Sequence, residues 1–349
     1  MTGIAFAVEL VSFLVVASSL SAFDAYGVPG GQEVPGSVRV ADMPAGEAPA
    51  FGDSFVFWPL GPQSLLLLTA PKPYGGRSPF GASSPHRLHA YLIGLATHRV
   101  ERAPDVERLL SSELWSGVSV STDGKEVVCV PGDRRHAGRW IDLLTRTSTP
   151  LPLIENSTVA WLPGSRSLLD LYLQSHPPRS SRIISLVPVV SQKDLAATVD
   201  GDRPIGEEIG TPLGITPDRT LVCASTSLLS DGVIGRQVVD VREFRLDDLE
   251  LRQGPSFSFI PPELEFGAES MRLNSQGTQV LWQGLARADR DRWMWRLYVS
   301  SPDGSNIRLI ADVPVGPSAG PRPVSGADWL PDGKSICFTV DGAIYLVLM

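Results

Sequence analysis

Cysteine is scarce in this sequence, and the positions of the three cysteines argue against both a disulfide and a metal site. The three cysteines have similar neighbours, VVCV around Cys129, LVCA around Cys223 and SICF around Cys337. Each falls in the middle of a predicted strand in a different repeat, so these spacings suit neither a disulfide nor a metal site. We interpret all three as small, buried apolar side chains.

Positive charge and helical periodicity are also in short supply. The net charge of −8 argues against a general nucleic-acid binder. Beyond the N-terminus, no stretch has the apolar spacing of an amphipathic helix of three or more turns. The sequence contains no P-loop and no GxGxxG after a strand, so the common nucleotide-binding signatures are missing.

The N-terminus carries an apolar run over residues 4–23. Its uninterrupted part, residues 10–22, is shorter than the ~20 residues of a membrane span and suits the core of a signal peptide. No basic residue precedes Arg39, which departs from the usual signal pattern, and no cysteine follows the run, which excludes a lipoprotein anchor. We predict a signal peptide within residues 1–25, with an uncleaved N-terminal anchor or a buried helix as alternatives.

Six repeats of strand, turn and strand fill the rest of the chain. Each repeat has a large apolar residue just before its first turn, and the repeats follow one another at intervals of about 40 to 60 residues, as propeller blades do. These apolar residues are Trp58, Val120, Trp161, Ile215, Leu273 and Trp329.

A third strand follows each pair, and a fourth follows most of them. Alternating apolar residues with Asp-Gly turns indicate antiparallel hairpins. Four such strands cannot bury both faces alone, but sheets stacked around an axis do, and that arrangement is a β-propeller. The last repeat stops after three strands, so residues 37–42 (SVRVAD) are expected to supply its outer strand. We predict an all-β, six-bladed propeller of four-stranded antiparallel blades over residues 37–349, closed by this N-terminal strand.

Two motifs, WLPDGKSICF and LYVSSPDGSNIRLI, resemble the TolB-like, WD-type (PD-repeat) propeller repeats of bacterial envelope proteins. The resemblance covers roughly residues 37–349, with departures at the turns of repeats one, three and four. It implies extracytoplasmic binding or scaffolding and does not imply a shared active site.

The lengths of the loops predict which face of the propeller binds a partner. The second-to-third connections and the blade-to-blade connections are the long ones, among them residues 191–210, 253–268 and 284–291, and in a four-stranded meander both sets lie at one end of the blades. The first set is rich in Arg and the second in Asp and Glu. These charges either pair with each other in solvent, or the Arg side chains bind carboxylates or phosphates of a partner. The second interpretation gives as candidate ligand-binding residues Arg134, Arg135, Arg179, Arg290 and Arg292.

The candidate catalytic and metal-binding residues lack the partner residues that such sites require. Asp328 lies on a predicted innermost strand, where some propellers place the acids of a glycosidase, but the equivalent positions of the other repeats supply no second acid. His86 and His89 have HxxH spacing without a third or fourth zinc ligand nearby.

We therefore favour a non-enzymatic, extracytoplasmic propeller that binds a protein or a glycan through its long-loop face. The alternatives are a channel-centred hydrolase, either a glycosidase or a metal-dependent lactonase, and a purely structural envelope component. We predict a monomer without catalytic residues, cofactor or metal, which binds no nucleic acid and meets a membrane only through an N-terminal anchor.

Overall fold

The computed structural model describes residues 36–49, 57–59, 64–71, 87–110, 113–121, 123–155, 157–173, 179–188, 195–205, 210–228, 237–247, 250–260, 268–289, 292–314, 324–330, 332–340 and 342–349. Within these ranges the chain forms six antiparallel sheets arranged as the blades of a ring, so the predicted six-bladed β-propeller is confirmed. The predicted signal peptide, residues 1–25, lies outside the described residues. No helix in the described part of the chain is long and apolar enough to cross a membrane.

The first strand along the chain, β1 (Val38–Asp42), belongs to the last blade. The strands of blades 1 to 3 follow in chain order. Blade 1 contains β2 (Glu47–Pro49), β3 (Phe57–Pro59), β4 (Ser64–Pro71), β5 (His89–Gly94) and β6 (Val100–Arg102). Blade 2 contains β7 (Trp115–Val120), β8 (Glu126–Pro131), β9 (Gly138–Asp142) and β10 (Thr147–Leu151). Blade 3 contains β11 (Ser157–Trp161), β12 (Ser167–Leu173), β13 (Arg179–Pro188) and β14 (Leu195–Ile205).

Blades 4 to 6 repeat the same order from the innermost strand outwards. Blade 4 contains β15 (Thr211–Ile215), β16 (Thr220–Leu228), β17 (Gln237–Asp247) and β18 (Glu250–Phe259). Blade 5 contains β19 (Ala268–Leu273), β20 (Val280–Asp289), β21 (Arg292–Ser300) and β22 (Arg308–Pro314). Blade 6 contains β23 (Val324–Trp329), β24 (Ser335–Val340), β25 (Ala343–Leu348) and, as its outermost strand, β1.

Strand β1 closes the ring as predicted. It pairs antiparallel with β25, from Val38 opposite Leu346 to Asp42 opposite Ala343. A bulge between Arg39 and Ala41 interrupts this register, and Val40 within it is fully buried.

The hydrophobic core is itself a ring of six clusters, one between each pair of neighbouring blades. Strand β4 illustrates how the sequence produces this. Its residues Leu65 and Leu67 pack towards blade 6, whereas Leu66 and Leu68 pack towards blade 2. Because successive side chains of a strand point to opposite faces, a strand buried on both faces needs an unbroken apolar run. The closing cluster joins blade 1 to β1, β24 and β25, which confirms that the sheets go all the way round.

The turns between first and second strands interlock at the end of the blades opposite the long loops. Gly277 and Gly333 adopt positive φ angles of 71° and 65°, and an added Cβ would lie 2.7 Å from Thr216 and 2.5 Å from Ser275 of the preceding blade. Buried Asn274 donates from Nδ2 to the carbonyl of Gly333, 3.0 Å away in the next blade. These glycines therefore hold neighbouring blades at close distance.

One predicted loop contains a short helix, α1 (Pro104–Leu110), in the connection from blade 1 to blade 2. Proline opens the helix and Asp105 lies in its first turn, where both are favoured. Val106 and Leu110 are buried between the two blades, and the indole of Trp115 donates to the Leu110 carbonyl at 3.0 Å. The helix therefore fills the space beside a fourth strand that is only three residues long.

The predicted long connections in blades 3 to 5 are partly wrong, because strand continues into them. Within the loops predicted at 191–210, 253–268 and 284–291, the structure has β14, the second half of β18 and the end of β20. The strands of these blades are therefore longer than the loop predictions allowed.

Candidate functional site

The innermost strands of blades 2 to 6 surround an axial channel with a volume of about 420 Å³. Each of β7, β11, β15, β19 and β23 pairs with a neighbour on one side only, so its other edge presents backbone N–H and C=O groups to the axis. The lining is rich in small polar side chains: Ser116, Ser119, Ser121, Ser157, Thr158, Thr211, Asn274 and Ser275. A volume in this range suits a small ligand.

Two charged side chains of the described residues line this channel, Asp328 on β23 and Arg272 on the adjacent β19. The Asp328 carboxylate accepts a 2.8 Å hydrogen bond from the backbone N–H of Trp329. Desolvation by burial raises the pKa of Asp328 to about 6, although the charge of Arg272 and the Trp329 N–H both act to lower it. The channel therefore holds a carboxyl group whose ionised form is poorly solvated, which is a recurrent property of functional residues.

Replacing this carboxyl group is expected to stabilise the fold. A pKa raised above the unfolded value of 3.8 contributes stability that is full below about pH 4 and lost as the pH rises through about 6. Asp328→Asn keeps an acceptor for the Trp329 N–H and removes the ionisation. We expect its free energy of unfolding at pH 7.5 to exceed that of the wild type by roughly 1–3 kcal/mol, with the difference shrinking towards pH 4. Urea unfolding across this pH range measures it.

Asp332→Asn is the matched control in the same blade. The Asp332 carboxylate accepts 2.8 Å hydrogen bonds from the backbone N–H groups of Lys334 and Ser335 and a 2.6 Å bond from the Ser335 hydroxyl. Because hydrogen bonds to a charged acceptor are stronger than those to a neutral amide oxygen, we expect this variant to be no more stable than the wild type. A less stable Asp328→Asn at pH 7.5 would contradict the explanation given for the channel carboxyl.

At blade 2 the two sets of long loops meet at the mouth of the channel. The Gly132 N–H donates to the Leu114 carbonyl at 2.9 Å. The Ser116 hydroxyl, which lines the channel, is 2.8 Å from the Pro131 carbonyl and 3.3 Å from the Glu155 carbonyl. We call residues 113–116, 131–136 and 152–155 the blade 2 rim. The prediction that both loop sets share a face is confirmed here.

The blade 2 rim combines exposed aliphatic and cationic side chains. Leu114 is 40% exposed and Ile154 is 41% exposed. Arg134 is extended over the surface with its side chain 85% exposed and pairs with Glu155 at 2.8 Å. Arg135 is exposed, and its guanidinium has no ion pair among the described residues. Its backbone N–H, followed by the His136 imidazole, holds the pKa of Asp133 below its ordinary value.

The five candidate arginines have different positions. Arg134 and Arg135 lie together on the blade 2 rim. Arg179 begins β13 and Arg292 begins β21, and their side chains are outside the described residues, as is the whole of Arg290. The structure therefore brings two of the predicted ligand-binding residues together.

Charge pairing between the loop sets is also present on this face. Beyond the Arg134–Glu155 pair, Arg139 near the start of β9 pairs with Glu113 of the blade-to-blade loop at 3.0 Å. Arg134 and Arg139 are therefore each paired with a carboxylate on this face.

A second polar cluster lies within blade 1. Buried Glu47 accepts a 2.8 Å hydrogen bond from Thr69, lies 2.8 Å from Nδ1 of His89 and lies 3.5 Å from the Tyr91 hydroxyl. Burial, with the charge of Glu47 as the next cause, raises the pKa of Tyr91. Of the two histidines with HxxH spacing, His89 is therefore engaged with a carboxylate, while His86 is outside the described residues. No group of three or more His, Cys, Asp or Glu side chains in the described ranges could hold a metal ion.

The three cysteines are free and buried, which confirms their interpretation as apolar side chains. Burial raises the pKa of the Cys129 and Cys337 thiols well above the ordinary range. They are inert in the folded protein, because the thiolate is the reactive form.

Comparison with known proteins identifies no family and returns solved structures of low similarity. No protein-family model matches the sequence, and no curated protein matches it either. Similar solved structures include a putative TolB from Agrobacterium tumefaciens, 15% identical over 86% of this chain and 91% of that chain, with a TM-score of 0.44. A gluconolactonase from Xanthomonas campestris is 12% identical over 90% and 89%, with a TM-score of 0.45. The β-propeller domain of the Trilobed protease from Pyrococcus furiosus is 12% identical over 83% and 79%, with a TM-score of 0.38. At such identities the likeness concerns the fold alone.

Proposed function

We propose that the chain is a non-enzymatic, extracytoplasmic binding module and that a protein partner docks on the blade 2 rim. The observation that carries the proposal is the presence of exposed Leu114, Ile154, Arg134 and Arg135 on the same rim. The apolar run at residues 10–22 motivates the extracytoplasmic part.

The chemistry of the rim favours a particular partner surface. Arg is enriched among residues that dominate protein interfaces, and aliphatic side chains beside it supply the apolar contact. On this rim, the Arg135 guanidinium has no ion pair with a carboxylate among the described residues. An Asp or Glu of the partner could therefore form one with it. A protein segment with an apolar side chain next to a carboxylate offers both contacts, whereas a neutral glycan offers neither.

The rim is also held rigidly enough to bind without much rearrangement. The 2.9 Å bond from Gly132 to Leu114 and the contacts of the Ser116 hydroxyl tie its three segments to one another. Rigid presentation lowers the ordering cost that association would otherwise incur.

The alternative, a channel-centred hydrolase, has less support. Glycoside hydrolysis uses a pair of carboxyl groups, and the described channel wall has the single carboxyl group of Asp328. A lactonase that depends on a metal would need a cluster of ligands, and the described residues provide none of three or more.

Site-specific photo-crosslinking tests the proposal. A photoreactive residue at position 135 is expected to capture one protein from the extracytoplasmic fraction of the source cells. The same residue at position 144, an exposed leucine (64%) in the turn between β9 and β10, is the control, because it lies at the opposite end of blade 2. Equal capture at both positions would contradict the assigned face, and capture of a glycan at position 135 would contradict the protein partner.

The captured protein then allows a quantitative comparison. We expect the double variant Leu114→Ser, Ile154→Ser to bind it about tenfold more weakly or worse, equivalent to about 1.4 kcal/mol. Leu144→Ser removes an exposed leucine elsewhere and should leave the dissociation constant unchanged. Thermal melting of both variants verifies that they fold. Unchanged binding by the folded double variant would exclude the rim as the docking surface.

A further inference from the structure

The carboxylate of Asp328 accepts a single hydrogen bond from the described residues. It lines the channel, and the one hydrogen bond it accepts from the described residues comes from the N–H of the next residue, Trp329. Asp328 is half-buried, so its carboxylate keeps acceptor capacity that faces the channel instead of the protein interior. A ligand with a cationic donor would satisfy it.

Arg272 restricts which cation can do so. It lies on the adjacent innermost strand, its charge acts on Asp328, and its Nη1 donates to the Met271 carbonyl at 3.0 Å. Its position is fixed further by its own carbonyl, which accepts the indole N–H of Trp329 at 3.0 Å. A simple cation next to Asp328 would be repelled by this guanidinium, and a simple anion next to Arg272 would be repelled by the carboxylate.

A molecule that carries both charges meets neither penalty. The described wall of the channel has one positive and one negative side chain, and elsewhere it offers hydroxyl groups, an amide and strand edges. The two tryptophans of the wall, Trp161 and Trp329, are 7% and 8% exposed, so neither offers an open ring face for a sugar to stack on.

We propose that the axial channel is a binding site for small zwitterions of the α-amino-acid class, with the ligand ammonium on Asp328 and the ligand carboxylate on Arg272. The remaining polar groups of the ligand would bond to the serine and threonine hydroxyls and the free strand edges. This site is separate from the blade 2 rim and goes beyond the proposed partner binding.

Isothermal titration of the full chain tests the proposal with four classes of probe. The zwitterions are L-serine, L-leucine, L-lysine and L-glutamate, and the comparison ligands are propylamine, propionate and D-glucose. We expect at least one amino acid to bind, and the three comparison ligands to bind about tenfold more weakly or not at all. Absence of binding by all four amino acids, or equal binding of D-glucose, would overturn the proposal.

Three variants assign the two charges. Asp328→Asn and Arg272→Gln are each expected to weaken amino-acid binding about tenfold or more. Ser119→Ala removes a hydroxyl from the wall without changing its charge and is expected to have a much smaller effect. If Arg272→Gln fails to fold, Asp328→Asn, which we expect to be stabilised, decides alone. Undiminished amino-acid binding by folded Asp328→Asn would refute the site.

Discussion

Deletion of residues 37–42 is expected to abolish the cooperative unfolding transition of the chain. Without β1, the edge of β25 loses its partner strand and the cluster between blades 6 and 1 loses Val40 and Ala41, which are 0% and 1% exposed. Opening a ring of stacked sheets also exposes the facing surfaces of two blades, and the net stability of a domain is only about 5–15 kcal/mol. Calorimetry and circular dichroism on the deleted chain measure the loss.

Point variants separate ring closure from simple shortening. Val40→Asp places an unpaired carboxylate in a closed apolar cluster and should destabilise by about 4 kcal/mol or more. Asp42→Ala changes a side chain that is 65% exposed in the same strand and should have an effect below about 1 kcal/mol. A synthetic peptide covering residues 36–43 should restore the transition of the deleted chain. A deleted chain that melts like the full one would show that β1 does not hold the ring closed.

Arg182→Met is expected to lower the free energy of unfolding by about 3–5 kcal/mol, because it leaves a buried charge uncompensated. Asp170 is fully buried in β12, and its carboxylate accepts a 2.7 Å bond from Nε of Arg182 on the neighbouring β13. The same guanidinium donates to the Pro152 carbonyl of blade 2, so it also joins two blades.

The same substitution at an exposed arginine is the control. Arg134→Met breaks the exposed pair with Glu155 and should leave the urea midpoint essentially unchanged. The double variant Asp170→Leu, Arg182→Met should recover much of the loss, since an apolar pair can replace a buried ion pair with little penalty. Urea unfolding compares all three. Equal losses for Arg182→Met and Arg134→Met would mean that the buried pair has no special role.

The number of blades and their closure could be predicted from the sequence because they depend on local pattern. A large apolar residue before a tight turn, such as Trp161 or Trp329, recurs once per blade and packs between blades. The unbroken apolar run of β4 follows from burial on both faces. Residues 37–42 were identifiable because the last repeat lacked an outer strand.

The extended hairpins could not be predicted, because their local chemistry resembles that of loops. Asp200 and Gly201 have the composition of a tight turn, yet the pairing of β13 with β14 shifts by one residue between Ser181 and Ile183, opposite this part of the chain. A bulge accommodates the extra residue and the strand continues. Helix α1 did have a signal in the proline and acidic residues at its start, but two turns of helix lie below the length at which periodicity is decisive.

The candidate sites depend on contacts that sequence distance hides. Glu47 and His89 are brought together because β2 and β5 flank β4, and nothing in either segment indicates the partner. Asp328 was identifiable as an acid on an innermost strand. Its poor solvation and the position of Arg272 beside it became apparent only with the channel in place.

The buried cysteines can report local unfolding of the blades in which they lie. Cys129, Cys223 and Cys337 occupy the second strands of blades 2, 4 and 6, and none of them has exposed surface. Every second blade therefore carries one buried thiol. An alkylating reagent can reach each thiol only while its own blade is transiently open. Labelling kinetics read by mass spectrometry would therefore rank three evenly spaced sectors of the wild-type protein by how often each one opens, without introducing a probe.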